Sequence, residues 1–133
     1  MTDSPVIVRE SDRERENFAD PARGDASWLT FFSADATPTS AMSAGLMELA
    51  PGGAGLRPHR HAQPEIYYIA AGSGIVTIDG VDAEATAGTA LFIPGDAEHA
   101  VRNTGDCALR IFYVFPTDRF GDVLYRFSPP GPA

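Results

Sequence analysis

All three histidines of the chain stand in two short stretches, His59 and His61 in RPHRHAQPEIYY and His99 in GDAEHAVRN. Side chains on an extended strand alternate faces, so His59 and His61 point the same way, and Glu65 and Tyr67 keep that parity if the chain stays extended through Pro64. His99 opens a later apolar run, and a closed β-barrel would bring its inward side chain to the same place. Three imidazoles and one carboxylate are donors of intermediate hardness that suit a first-row divalent ion: iron, manganese, nickel, cobalt or zinc. In an octahedral set two positions stay open, as a catalytic centre requires and a structural one does not. A solitary histidine is more often a satisfied polar residue. Here the whole histidine content falls on one expected face beside a carboxylate, which favours the metal.

The elements that would carry these residues are short. From Met42 onward, runs of apolar and polar residues are broken by turn signals every eight to twelve positions, the rhythm of an antiparallel sandwich or barrel. The expected strands are Met42 to Leu49, Glu65 to Ala71, Ile75 to Asp79, Val81 to Ala85, Thr89 to Ile93, His99 to Asn103, Ala108 to Phe115 and Phe120 to Phe127. Between them lie Pro51-Gly52-Gly53, Gly72-Ser73-Gly74, Asp79-Gly80, Gly88, Pro94-Gly95-Asp96 and Thr104-Gly105-Asp106, residues that tolerate tight reversal or positive φ. Residues 1–40 read as an N-terminal extension, a strand or short helix packing on the barrel of residues 41–128. Ser11 and Glu14 have capping-box spacing, and Trp28, Phe31 and Phe32 would close one barrel end or form a subunit contact. The proline-rich tail from 129 to 133 is expected to fray.

With 133 residues, 44% hydrophobic and 21% charged, the chain has the composition of one globular domain with a sizeable core. Eighteen acidic residues against ten basic ones give a net charge of −8, which opposes nucleic acid and anionic lipid as partners. Every basic residue is arginine, so lysine Schiff-base, lysine-nucleophile and P-loop chemistry are excluded. The single cysteine, Cys107, forms no internal disulfide, and it sits in a turn-like stretch with no histidine nearby in sequence. The start MTDSPVIVRE lacks the pattern of a secretory signal, and no apolar run approaches the roughly 18 residues of a spanning helix. The expected compartment is the cytoplasm.

The two histidine stretches resemble the paired motifs of the cupin superfamily. The first runs Gly, five residues, His-x-His, three or four residues, Glu, six residues, Gly, and is matched by Gly53, His59, His61, Glu65 and Gly72. The second runs Gly, five residues, Pro-x-Gly, two residues, His, three residues, Asn. It is matched by Gly88, Pro94, His99 and Asn103, with Asp96 standing where the family has glycine, a departure expected to alter only the turn before His99. The resemblance implies an all-β double-stranded β-helix, or jelly-roll, barrel with His59, His61, Glu65 and His99 as metal ligands. One such barrel serves many reactions, so the remaining residues must discriminate among them.

Two further stretches, APGG with PEIYY and DAEHAVRN with FPTDRFGDVLYRF, are similar to the short single-cupin lyases that cleave dimethylsulfoniopropionate to dimethyl sulfide and acrylate. This likeness implies that the metal holds the carboxylate of a small-molecule substrate, that Tyr67 removes the α-proton, and that Tyr125 is a second pocket tyrosine. Chemically, a phenol is a poor base at neutral pH unless a nearby dication favours phenolate. Ordinary packing is the competing role for both tyrosines. Trp28, Phe92, Tyr113 and Phe115 are aromatic residues available to face a sulfonium, while Arg57 and Arg60 flank the ligands and read as solvated. Two other activities fit the same ligands, a non-haem iron dioxygenase and a non-catalytic metal-containing binder of small molecules. A homodimer is expected from exposed barrel edges and the aromatic N-terminal block.

Overall fold

The computed structural model describes residues 4–129. Eleven strands follow in chain order: β1 (Glu16–Asn17), β2 (Ser27–Phe32), β3 (Ser43–Leu49), β4 (Leu56–Arg60), β5 (Glu65–Ala71), β6 (Ser73–Ile78), β7 (Val81–Thr86), β8 (Ala90–Ile93), β9 (His99–Asn103), β10 (Leu109–Phe115) and β11 (Arg126–Phe127). They form two sheets, ordered β1-β2-β3-β10-β5-β8 and β11-β4-β9-β6-β7, and all pairings are antiparallel. This is the all-β jelly-roll expected from the sequence. Apart from three 3-10 turns, no helix occurs among the described residues.

Period-two alternation places the core. On β10, Leu109, Ile111, Tyr113 and Phe115 are buried while the residues between them are partly exposed, and on β5 Glu65, Tyr67 and Ile69 are buried while Ile66 and Tyr68 face out. The register pairs Tyr113 with Tyr67 and Ile111 with Ile69, which puts two phenols side by side on the inner face. Burying each such aliphatic or aromatic side chain contributes about 1.5–3 kcal/mol, so the interdigitated sheet faces hold the barrel together.

Several details differ from the sequence-based expectation. The strand expected over Phe120 to Phe127 is a 3-10 turn at Phe120–Asp122 followed by the two-residue β11, which pairs with β4. Its backbone is satisfied otherwise than by a ladder: Phe120 N–H donates to Ser33 Oγ at 3.0 Å and Val123 N–H to the Phe120 carbonyl at 3.0 Å. The stretch therefore crosses the barrel end. The capping-box spacing of Ser11 and Glu14 yields only a 3-10 turn at Glu10–Asp12. Three strands beyond the expected set are present, the two-residue β1, β2 and β4. Strand β2 pairs with β3 along most of its length, and β4 pairs with β9 with an irregularity between Leu56 and His59, where Pro58 has no N–H to give. Of the tail expected to fray, residues 130–133 lie outside those described.

Candidate active site

The histidines are oriented by local hydrogen bonds. His59 Nδ1 lies 2.8 Å from the Arg57 carbonyl, His61 Nδ1 2.9 Å from that of Gln63, and His99 Nδ1 2.9 Å from that of Ala97. A carbonyl only accepts, so each Nδ1 carries the proton and each Nε2 presents a lone pair. All three Nε2 atoms are buried without a partner, as is Glu65 Oε1. His59 and His99 face each other across the β4–β9 ladder, and His61 lies one residue beyond β4. The ligating nitrogens of the three histidines stand within 4.8 Å of one another, a group able to hold a metal ion. Glu65, first residue of β5, brings Oε1 to 3.3 Å from the Nε2 atoms of both His61 and His99.

Three lone pairs and a carboxylate turned toward each other in a buried site repel unless a cation lies between them. At His59 a proton does not answer that need easily, because burial, with the neighbouring His99 next in weight, lowers its pKa to about 3. The donor set therefore fits a divalent transition ion. Each imidazole already has the carbonyl partner that holds a metal-ligating histidine in the right tautomer.

The turn before His99 explains the one departure from the cupin motif. Asp96 stands at the motif's glycine position with φ of 63°, left-handed backbone that aspartate tolerates better than most residues. Its N–H donates to the His61 carbonyl at 2.8 Å, joining the two halves of the site. At the adjacent Gly95 a Cβ would stand 2.4 Å from the Ala62 carbonyl oxygen, so the side-chain-free residue is needed one place earlier than the motif puts it. Asn103, the motif's last residue, donates to the carbonyls of Leu49 and Cys107, and so pins a loop away from the histidine cluster.

Aromatic rings cover the histidines. Tyr125 stacks on His59 with centroids 4.8 Å apart and planes at 12°, Phe127 lies 5.2 Å from the same ring, and Phe115 meets His61 edge-on at 5.1 Å. Beside them is a small cavity of about 20 Å³ to which Glu65, Tyr67, Tyr125, Tyr113, Trp28 and Phe120 all contribute. It holds no more than about one water. Burial first, and the Glu65 charge second, push the pKa values of Tyr67, Tyr113 and Tyr125 upward, so without a cation all three phenols are neutral at pH 7.

Every residue singled out from the sequence can now be placed. His59, His61, Glu65 and His99 converge; Tyr67 and Tyr125 line the adjoining cavity. Of the aromatic candidates, Trp28 and Tyr113 line it and Phe115 packs on His61, but Phe92 lies on the outer surface, 66% exposed, because strand parity turns it away. Arg57 and Arg60 stay outside; Arg60 pairs with Glu98 at 3.5 Å. Cys107 is exposed. Phe120, read from the sequence as closure packing near Tyr125, contacts Trp28 at 5.9 Å, and sequence reasoning passed over only Phe18, whose ring lies 4.9 Å from Trp28 and completes the aromatic wall. No local motif marks Phe18.

The fold and the paired histidine stretches define the class: the chain belongs to the cupin family, whose domain profile matches residues 45–115. Within that class it is 46% identical over 109 residues to dimethylsulfoniopropionate lyase DddW of Ruegeria pomeroyi, covering 82% of this chain and 70% of the relative. It is 30% identical to an oxalate-binding protein of Thermotoga maritima, over 82% of this chain and 92% of that one. Among solved structures, the polyketide cyclase RemF of Streptomyces resistomycificus superposes with a TM-score of 0.78 at 20% identity, covering 96% and 88% of the two chains, a likeness of fold.

Proposed function

We propose that this cupin is a metal-dependent carbon–sulfur lyase that carries out β-elimination on a small carboxylate, with dimethylsulfoniopropionate giving dimethyl sulfide and acrylate. The observation that carries the proposal is the 46% identity to a lyase of that substrate, taken with a buried cavity in which Tyr67 and Tyr125 adjoin the histidine cluster. His59, His61, Glu65 and His99 would hold the divalent ion. When bound, such an ion supplies positive charge that favours phenolate nearby and acidifies the carbon next to a bound carboxylate.

In this scheme the Tyr67 oxygen takes the proton from the α-carbon. The electrons of that C–H bond form the new double bond, the β-carbon–sulfur bond breaks, and neutral dimethyl sulfide departs with the sulfur pair. Acrylate and one proton, held on Tyr67, remain; that proton passes to solvent as the site reopens. Tyr125, flat against His59, keeps the ligand ring in place and presents its phenol to the same cavity. Water is excluded because the site is closed. At about 20 Å³ the cavity is far smaller than the ~300 Å³ of an ordinary ligand pocket, so admission of substrate requires its wall to open.

The test is headspace detection of dimethyl sulfide from protein loaded separately with iron, manganese, nickel, cobalt or zinc. Metal-dependent release supports the lyase and assigns the ion. Silence from folded, metal-bearing protein returns the site to the dioxygenase, measured by oxygen consumption, or to a binder of small carboxylates, the alternative that the oxalate-binding relative favours. The proposal extends to a cytoplasmic homodimer. Met42, Ile66, Tyr68 and Phe92 are exposed, and Ile66 and Phe92 are direct cross-strand partners on the outer face of the six-stranded sheet, where a second copy would cover them.

A further inference from the structure

We infer that Tyr113, seconded by the indole N–H of Trp28, is a preset donor pair for a carboxylate oxygen of the substrate, and so sets which end of the molecule faces the six-stranded sheet. This inference rests on the small-carboxylate reading above and specifies how that site recognises its substrate. Tyr113 is 5% exposed, and its hydroxyl and Trp28 Nε1 are both buried; the indole N–H has no hydrogen-bond partner, and the phenol has Thr30 as its side-chain neighbour. Both residues line the same cavity as Glu65, Tyr67 and Tyr125. Thr30 gives its own proton to Glu16 at 2.6 Å, so toward Tyr113 it can only accept, and a charged oxygen in the cavity outcompetes that neutral acceptor for the phenol's proton.

The space around that hydroxyl is built into the fold. Gly45 is its cross-strand partner on β3, and a Cβ there would stand 2.3 Å from the Tyr113 oxygen. Any other residue at position 45 would displace the phenol.

The chemistry of the two donors narrows the occupant. An indole N–H can only donate, and a neutral phenol buried beside the Glu65 charge donates far more readily than it ionises. Their complement is an oxygen acceptor bearing negative charge. A sulfonium offers no such acceptor. The carboxylate is therefore drawn between the histidine cluster and the Tyr113–Trp28 wall, and the cationic end is left to the ring faces of Phe18 and Phe120. As the α-proton leaves, negative charge grows on the carboxylate oxygens, and donors already oriented in a dry site strengthen with it.

The experiment is Tyr113→Phe in metal-loaded protein, with acrylate affinity by calorimetry, metal content by mass spectrometry, and kcat and KM for dimethylsulfoniopropionate measured across pH. Loss of one hydrogen bond to a charged group predicts about tenfold weaker acrylate binding, unchanged metal content, and a kcat/KM lower by about tenfold or more with the shape of the pH profile kept. Unchanged acrylate affinity overturns the inference even if the lyase is fully active. Carboxylate binding that depends on Tyr113 in a protein releasing no dimethyl sulfide upholds the inference and sinks the lyase reading instead. A wild-type protein that binds no small carboxylate overturns the inference. Should Tyr113→Phe lose metal or fold, Trp28→Phe removes the second donor, and the same affinity loss or its absence decides.

Discussion

The two sides of the cavity are held in place by different physics. On the histidine side, each imidazole is steered by a carbonyl two residues away in its own chain segment, and each is buried to about 1% exposure or less. On the phenol side, Tyr67, Tyr113 and Trp28 come from three strands of the other sheet, and they meet only because β5, β10, β3 and β2 pair in a particular register. Local steering survives small shifts of the barrel. Cross-strand placement does not, because a slip of one residue turns a side chain to the opposite face.

The largest expected effect comes from breaking the histidine side. His99→Ala removes one proposed ligand and leaves the Glu65 carboxylate with one imidazole fewer, so metal content should fall sharply and turnover by about a thousandfold or more, checked by metal analysis beside the dimethyl sulfide assay. Next is Tyr67→Phe, which removes the proposed base from the other side while leaving every ligand in place. Turnover should drop by about 10²- to 10⁴-fold with metal content and melting temperature near those of the wild type, and normal turnover would remove Tyr67 as the base.

A smaller effect separates the two sides by pH. His59 is neutral in the folded, metal-free protein down to pH about 3, whereas the unfolded chain takes up a proton near the ordinary 6.5. The unfolded state therefore binds more protons in that window. Metal-free protein should lose stability as pH falls from 6.5 toward 3, by no more than several kcal/mol for this group, visible as a falling melting temperature. An unchanged melting temperature between pH 7 and 5 would contradict it. The smallest effect on activity is expected from Phe92→Ser on the outer face: turnover unchanged, with the proposed dimer shifted to monomer in size-exclusion chromatography with light scattering.

The ease of reading the two sides from sequence follows the same division. His59 and His61 share parity, as the sequence predicts, but the chain bends at residues 62 and 63 instead of staying extended through Pro64, so Glu65 reaches them from the other sheet, and His99 follows the Pro94-Gly95-Asp96 turn. Tyr113 was visible only as one aromatic among several, since nothing in LRIFYVF distinguishes the ring beside the cavity from those that pack the core. Phe92 misled for the same reason, as parity in a four-residue strand gives little to count. The expected strand at Phe120 to Phe127 failed because Ser33, 87 residues away in sequence, captures the Phe120 N–H.

By itself the sequence determined the donor types and their spacing, the absence of lysine, the turn rhythm of a barrel and the acidic balance, all properties carried by residues near one another along the chain. Only the tertiary structure decided that the three histidine Nε2 atoms and Glu65 Oε1 face one another, that Tyr125 lies flat on His59, and that Gly45 leaves room for the Tyr113 hydroxyl. Those depend on strand register and on which distant segment closes the barrel end, and both are set by the summed burial of the whole core.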